Sequence, residues 1–324
     1  RFPVVRTFRR LHGIAHYSSR FPAELAAYAR KQPLDLVFSA NKGPIWAPCP
    51  KVLMVQDLSF VHYPNHYPPT NYRLLMEIVP RLARRARVVL TVSEHARNDL
   101  IEGLGQPEDR VFVAPNMIAP PPPFGADDEA RGATWLKEHG ITGPFLLYLG
   151  NLHRRKNVVR TVRAFIEAKA NHPELAEHQM AIAGAAWWGS EAEHEATADA
   201  PPGSVVYLGR VDDWQREVVL HLASALSYVS IFEGFGLPPL EAMARGTAVL
   251  TSNATSLPEV VGDAALQVDP FDEHAIAEGI TMILTDDRLR EELVARGGPR
   301  AATFTAARTG QAAMTAFRTA LAPT

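Results

Sequence analysis

The sequence predicts an α/β protein of two doubly wound domains, each built on a parallel sheet. Short apolar runs alternate with amphipathic helical patterns along most of the chain. This alternation is typical of parallel strands joined by right-handed helical crossovers. Four consecutive prolines at 120–123 divide the chain into two such series, because they fit neither a helix nor a central strand. The 324 residues suffice for two domains of ordinary size.

The part of the chain before the prolines contains four predicted strands, at 34–38, 51–56, 88–92 and 111–114. Helices are predicted at 72–86 and 93–104. A doubly wound domain normally opens with an apolar strand and a glycine-rich turn. The first residues show neither, since only Gly13 stands near them. We therefore expect residues 1–122 to form a domain that lacks its first strand and its glycine-rich loop.

The part after the prolines contains five predicted strands, at 145–150, 180–183, 205–208, 226–230 and 248–251. Helices are predicted at 158–169, 215–224 and 239–245. We expect residues 123–305 to form the second domain. Residues 306–324 belong to an alanine-rich helix with no strand after it. This helix is a candidate to pack across the domain boundary.

Composition and charge exclude several classes of protein. No apolar run approaches the ~18 residues of a membrane helix, and the single cysteine, Cys49, excludes a disulfide framework and a multi-cysteine metal site. Residues 1–122 carry 16 Lys and Arg against 9 Asp and Glu, a net charge of +7, and residues 123–324 carry a net charge of −9. The basic residues cluster at 1–10 and 81–87, as a solvated helix face or as a contact with an anionic membrane surface. No nucleic-acid-binding motif accompanies them. We expect a cytoplasmic protein, with a peripheral position at the inner face of the membrane as the second option.

The segment 230–246 carries the clearest chemical signal. A strand is predicted to end at Ser230, and Gly234 and Gly236 follow in a tight turn, where glycine permits positive φ and close backbone approach. Two prolines then open a helix. The order of strand, glycine loop and helix N-terminus predicts an anion site suited to phosphate. Glu233 and Glu241 stand at the two ends of this loop, and we expect them to accept hydrogen bonds from sugar hydroxyls.

The same residues resemble the E-x7-E signature of retaining GT-B glycosyltransferases of family 4. The similarity continues through the loops that follow, at 251–253, 256–260, 262–265 and 269–270. Upstream, it includes the strand and basic loop at 148–157 and, more loosely, 56–58, 91–97 and 115–116. It covers most of residues 50–305. The resemblance implies a GT-B fold, in which two Rossmann-like domains face a cleft.

The resemblance also implies a role for each matching position. Glu233 would contact the transferred sugar, and Lys156 would bind the donor diphosphate and stabilise its leaving charge. Asp57 is the third catalytic candidate, and Glu241 would hold the ribose hydroxyls. The implied donor-binding residues are Asn151, Arg155, Lys156, Val211, Glu233, Gly234, Phe235, Gly236, Leu237 and Glu241. The implied acceptor-side residues are Gln56, His95 and Arg97.

Three positions depart from the family pattern. Asn151 stands where many relatives carry arginine, so Arg155 is expected to supply that diphosphate contact. Gln56 stands where histidine is common, which removes an imidazole from the site. Met117 stands where glycine is common, close to the connection between the domains.

We expect a retaining glycosyltransferase that moves a sugar, with mannose as the first choice, from GDP-mannose or a UDP-sugar to a glycan or lipid-linked acceptor. The resemblance implies front-face transfer through an oxocarbenium-like state. No cofactor or metal is implied, because no Asp-x-Asp stands in the motif loops and Lys156 with backbone amides can balance the phosphate charge. The alternatives are a nucleotide-sugar epimerase of the same architecture, a phosphorylase, and a catalytically inactive GT-B binding protein.

Overall fold

The computed structural model describes residues 20–323 and contains two parallel sheets. The four-stranded sheet has the order β1-β2-β3-β4, and the six-stranded sheet has the order β10-β9-β8-β5-β6-β7. The strands are β1 Val37–Ser39, β2 Lys51–Met54, β3 Val88–Thr91, β4 Val111–Val113, β5 Phe145–Leu149, β6 Gln179–Ala183, β7 Val205–Gly209, β8 Ala225–Tyr228, β9 Val249–Ser252 and β10 Leu266–Val268. The predicted fold class is confirmed. The expectation of a missing first strand and glycine loop concerns residues that lie outside the described part of the chain.

Helices cover both faces of each sheet. They are α1 Phe21–Ala29, α2 Ser59–His62, α3 Pro69–Arg85, α4 Glu94–Leu104, α5 Ala126–Glu138, α6 Val158–Asn171, α7 Glu191–Ala198, α8 Asp213–Leu222, α9 Leu237–Met243, α10 Leu257–Val261, α11 Glu273–Thr285, α12 Asp287–Ala301 and α13 Ala306–Leu321. Within residues 20–323, none of these helices combines the length and apolar character needed to cross a membrane.

The strands appear in the sequence as continuous apolar runs because both faces of each sheet are buried. In β5, Leu147 and Leu149 pack into the core on one side of the six-stranded sheet, and Leu146 and Tyr148 pack into the core on the other. All four side chains are buried. This burial explains why the sequence shows no alternation of polar and apolar residues here.

The last helix, α13, returns to the N-terminal sheet. Ala316 and Ala320 are buried against Val52, Val88 and Leu90, on strands β2 and β3. The small alanine side chains let the helix axis lie close to the sheet. The chain therefore passes between the two domains twice, once after β4 and once before α13.

The two domains also touch beside the cleft. The Ser93 hydroxyl donates to the Gly234 carbonyl at 2.7 Å. The backbone N–H groups of Glu94 and His95 donate to the Glu259 carboxylate at 2.9 and 3.2 Å. Glu259 thus lies at the N-terminus of α4, where the helix dipole favours a negative charge.

Candidate active site

An open cleft of about 340 Å³ lies between the two sheets, at the carboxyl ends of their strands. Facing α/β domains place ligand sites at this position. The cleft is lined by Gln56, Asp57, Val92, Asn116, Gly150, Asn151, Arg155, Lys156, Tyr228, Glu233, Gly234, Phe235, Gly236, Leu237, Pro238 and Glu241. It therefore brings together most of the donor-side residues that the sequence predicted, with Gln56 and Asp57 opposite them.

Glu233 lies at the centre of a buried cluster of charges. Its Oε2 accepts a hydrogen bond from Arg155 at 2.7 Å, and its Oε1 accepts one from Lys156 Nζ at 2.5 Å. Lys156 Nζ also donates to the Tyr228 hydroxyl at 2.5 Å. Burial alone would raise the pKa of Glu233, but Lys156 and Arg155 lower it to about 2. Glu233 is therefore ionised at neutral pH and accepts hydrogen bonds.

Local structure places the two cations. A 3₁₀ turn, Arg154–Lys156, follows β5 and ends at Asn157, whose φ of 61° reverses the chain into α6. The Asn157 side chain donates to the Pro270 carbonyl at 2.7 Å, which anchors the turn to the loop after β10. The backbone N–H of Ile231 donates to the Arg155 carbonyl at 2.8 Å, which joins the turn to the loop after β8. The two loops thus form one framework under Glu233.

The glycine turn is needed for two separate reasons. Gly236 has a φ of +115°, which favours glycine. A Cβ on Gly234 would lie 2.3 Å from the Gln56 carbonyl oxygen and 2.8 Å from the Asp57 Cβ, so only glycine lets the domains approach here. Pro238 lies in the first turn of α9 and carries no N–H. The free N–H groups at this end of α9 therefore come from Leu237 and the loop before it, not from Pro238.

Aromatic rings form a second contact between the domains. Phe232, beside Glu233, packs against the rings of His62 and His95 at 5.2 and 5.8 Å between centroids. His153 packs against the Tyr67 ring at 5.3 Å. Burial and the nearby Arg155 lower the pKa of His153 to about 3, so its imidazole is neutral at physiological pH.

Glu241, at the other end of the cleft, forms an ion pair with Arg216 on α8. Next to this pair, Arg245 forms two hydrogen bonds with the Glu217 carboxylate, at 2.6 and 2.5 Å. The two pairs connect α8 to α9 and the turn that follows it. No pattern in the sequence indicates Arg216, because its partner belongs to a different helix.

Asp57 lines both the cleft and a second cavity, of about 230 Å³, in the N-terminal domain. Its Oδ1 accepts a hydrogen bond from the Ser59 backbone N–H at 2.9 Å and another from the Ser59 hydroxyl. The Ser59 hydroxyl is in turn 2.5 Å from the Tyr67 hydroxyl. This chain of hydrogen bonds fixes the Asp57 carboxylate at the boundary between the two spaces.

The structure leaves three predicted site residues outside the cleft lining. Val211 is partly buried against the core on one side of the six-stranded sheet. Arg97 donates to the Val111 carbonyl at 3.2 Å and to Glu108 at 2.9 Å, which fastens α4 to β4. His95 packs on Phe232, and the Nε2 of His95 is buried without a hydrogen-bond partner.

Sequence reasoning missed three contributors to the site, Tyr228, Tyr67 and Arg216. Tyr228 is fully buried at the end of β8, where a tyrosine in the sequence predicts only a core residue. Tyr67 reaches Asp57 through Ser59, which no spacing in the sequence predicts.

Among residues 20–323, no group of three or more His, Cys, Asp or Glu side chains is arranged to hold a metal ion.

Two facing parallel-sheet domains with a polar cleft between them define the GT-B architecture. The chain belongs to the family described as glycosyl transferases group 1, which it matches over residues 133–298. Residues 1–120 match the family described as Glycosyltransferase Family 4. The first of these ranges follows the proline run at 120–123, and the second ends where that run begins.

Relatives and solved structures agree with this assignment. The chain is 31% identical over 259 residues to O-antigen chain mannosyltransferase B of Escherichia coli, a match that covers 78% of this chain and 66% of that protein. It is 29% identical over 239 residues to the serotype-specific mannosyltransferase WbdA of Escherichia coli, covering 72% of this chain and 29% of WbdA. The chain thus spans less than two thirds of the length of these curated relatives.

Among solved structures, sucrose-phosphate synthase from Thermosynechococcus elongatus superposes with a TM-score of 0.73 at 21% identity, covering 92% of this chain and 77% of that one. HepE from Anabaena in complex with UDP superposes with a TM-score of 0.72 at 18% identity, covering 91% of this chain and 81% of that one. At these identities the likeness shows the fold.

Proposed function

We propose that the protein is a glycosyltransferase that uses a nucleotide-diphosphate sugar. The observation that carries the proposal is the convergence of Arg155 and Lys156 on Glu233 in the cleft between the domains. A buried lysine and a partly buried arginine held by one carboxylate are an arrangement that a diphosphate can enter, because its charge replaces part of the electrostatic compensation. Family membership favours the same chemistry.

The donor would lie along the C-terminal side of the cleft. Its diphosphate would face Lys156 and Arg155, its sugar would face Glu233, and its ribose hydroxyls would face Glu241. Glu241→Ala removes hydrogen bonds to a charged acceptor, which are worth ~1.5–3 kcal/mol. We expect binding of the nucleoside diphosphate to weaken roughly 10- to 100-fold in calorimetric titration. An unchanged affinity in a folded Glu241→Ala variant would remove Glu241 from the ribose site.

We propose a retaining, front-face reaction. The bond from the anomeric carbon to the diphosphate oxygen breaks, and the acceptor oxygen bonds to the same face of that carbon. The acceptor hydroxyl proton passes to the leaving phosphate oxygen. Glu233 supports this assignment because it is ionised and paired with two cations, and so stabilises charge without giving up a proton. The anomeric configuration of the product, read by NMR, tests retention, and an inverted product contradicts it.

We propose that Lys156 and Arg155 balance the phosphate charge without a bound metal. Turnover should then persist in EDTA. Loss of activity in EDTA that Mg²⁺ or Mn²⁺ restores would refute this part of the proposal. Analysis of the reaction products separates a transferase from an epimerase, because a transferase yields a glycoside and an epimerase yields an altered donor.

For the donor, we propose GDP-mannose first and a UDP-sugar second. The names of the E. coli relatives support mannose as the sugar. The UDP complex of HepE is the reason to retain a UDP-sugar as the second choice. A thermal-shift screen with GDP, UDP, ADP and dTDP decides the base. A ligand at 100 times its dissociation constant adds ~2.7 kcal/mol of stability, which such a screen detects.

The acceptor would enter from the N-terminal domain, where the second cavity lies beside Asp57. The lining of this cavity includes the apolar side chains of Leu53, Phe60 and Val79 and the polar residues Gln56 and Asp57. A wall that is apolar in one part and polar in another suits a glycan carried on an apolar group, and so supports a lipid-linked acceptor. Transfer to a lipid-linked glycan and to the same glycan without its lipid would distinguish the two acceptor classes.

A basic and aromatic patch on the same domain supports reversible contact with an anionic membrane. We define the patch as Trp46, Arg84 and Arg85. The Trp46 side chain is 56% exposed, and the Arg85 guanidinium lies 3.6 Å from the centre of its ring. Arg84 is exposed at the end of α3. Basic residues next to tryptophan are typical of membrane-interface contacts.

Vesicle co-sedimentation tests this contact. Arg84→Gln with Arg85→Gln should weaken binding to anionic vesicles at low salt and leave nucleotide binding intact, because each basic residue adds ~1 kcal/mol near such a surface. The matched control, Arg131→Gln with Arg288→Gln, removes the same charge from the C-terminal domain and should bind vesicles like the wild type. If the wild type does not bind anionic vesicles even at low salt, the membrane proposal is wrong and the transferase proposal remains.

A further inference from the structure

We propose that Arg216 is a positioning residue for Glu241 and that this pair determines how tightly the protein holds the ribose of its donor. The inference rests on the proposed function, in which Glu241 receives the ribose hydroxyls. It assigns a role to a side chain outside the E-x7-E motif and outside the cleft lining.

The geometry that supports the inference is a double connection between α8 and α9. Arg216 pairs with Oε1 of Glu241, and one residue further along α8 the Glu217 carboxylate pairs with Arg245. Arg245 also donates to the Glu241 carbonyl at 2.9 Å. The Glu241 residue is thus held through its side chain by Arg216 and through its backbone by Arg245.

The exposure of the two partners shows which of them faces the cleft. The Glu241 side chain is 16% exposed and lines the cleft, whereas the Arg216 side chain is 34% exposed and lies outside the lining. Arg216 therefore holds Glu241 from outside the cleft lining. Because the guanidinium engages Oε1, the inference assigns the ribose hydroxyls to Oε2, since a carboxylate oxygen can accept from more than one hydroxyl.

Three properties suit arginine to this task. Its charge is permanent at any physiological pH, its planar fork fixes direction as well as distance, and its weak hydration lets it stay in a partly buried pair. A glutamate with this support keeps one rotamer before the ligand arrives, so less conformational freedom is lost on binding. Without Arg216, Glu241 would sample several rotamers and meet the ribose less often in the required orientation.

The experiment compares ligands with and without the ribose hydroxyls. GDP and UDP are titrated by calorimetry into the wild type, and the better ligand is compared with its 2′,3′-dideoxy analogue. The variants are Arg216→Gln, which removes the charge, and Arg216→Lys, which keeps the charge without the fork. Arg131→Gln is the matched control, because Arg131 lies over the Trp214 ring of α8 and does not pair with Glu241. Thermal melting without ligand shows that each variant is folded.

We expect Arg216→Gln to weaken binding of the ribonucleotide roughly 10-fold and to leave binding of the dideoxy analogue unchanged, with Arg216→Lys between the two. A merely structural role would weaken both ligands equally, and this outcome overturns the inference. Tighter ribonucleotide binding by Arg216→Gln also overturns it, because the guanidinium would then compete with the ribose. If the wild type binds neither GDP nor UDP, the proposed function fails first. If the wild type binds one of them and Arg216→Gln binds it equally well, only the inference fails.

Discussion

Glu233→Gln tests the charge cluster at the centre of the cleft. The substitution keeps the shape of the side chain and removes its charge, so Lys156 and Arg155 remain buried without their counter-ion. Removing one partner of a buried ion pair costs ~3–5 kcal/mol, and the exposure of only 6% at Glu233 gives solvent little chance to reduce that cost. With an unfolding entropy of ~2.1 cal/mol/K per residue over 324 residues, the melting temperature should fall by roughly 4–7 °C.

Nucleoside diphosphate should then reverse much of this loss. In the proposed complex the diphosphate would share Lys156 and Arg155 with Glu233, whereas in Glu233→Gln it would supply the missing negative charge. We therefore expect saturating nucleotide to raise the melting temperature more in the variant than in the wild type. Turnover should nevertheless fall, because the carboxylate proposed to face the transferred sugar is gone.

Differential scanning calorimetry with and without nucleotide measures both effects. Glu108→Gln is the matched control, since it also removes a carboxylate paired with an arginine, Arg97, but outside the cleft lining. That variant should show the wild-type response to nucleotide. An unchanged melting temperature in Glu233→Gln, or a nucleotide response no larger than that of the wild type, would refute the reasoning.

Three further outcomes follow from the same site. Lys156→Ala should lower kcat more than it raises the donor KM, and Lys156→Arg should restore part of the rate; a wild-type kcat in Lys156→Ala contradicts electrostatic catalysis. Gly234→Ala should force the domains apart, because the new Cβ would clash with Gln56 and Asp57. Small-angle scattering should then show a larger radius of gyration and kcat should fall, whereas an unchanged radius contradicts the close approach. The pKa of Glu233 is lowered from 4.5 to about 2, so its stabilising contribution is complete above pH 4.5 and is lost as the pH falls toward 2. Urea unfolding of the wild type across that range should show this loss, and the same measurement on Glu233→Gln should lack it.

The larger strands were predictable because burial on both faces leaves a continuous apolar run. β5 and β8 match their predicted positions to within one or two residues. β10, Leu266–Val268, escaped prediction because it has three residues, all of them only partly buried. α5 and α12 escaped it because their exposed faces carry many charges, so few apolar residues mark the helical period.

Some residues of the candidate site could likewise be predicted from the sequence, and others could not. Glu233, Gly234 and Gly236 could be placed from the sequence because one loop carries all three. Lys156 could be placed because its basic loop lies between a predicted strand, 145–150, and a predicted helix, 158–169. Arg155 was predicted to contact the diphosphate, which stays a prediction, whereas its hydrogen bond to Glu233 was not predicted, since that contact depends on how two distant loops meet. Side chains that act across helices or across domains leave no local pattern.

Because α13 covers one face of the N-terminal sheet, the order in which the ribosome delivers the chain affects how the protein folds. When residue 122 leaves the ribosome, Val52 and Leu90 still lack the alanines that bury them. At ~5–20 residues per second, α13 follows roughly 10 to 40 s later. The C-terminal domain, whose strands and helices are consecutive in sequence, can therefore fold before the domain that precedes it is complete. An aliphatic sheet face left open for that time is a surface on which a chaperone can act until α13 closes it.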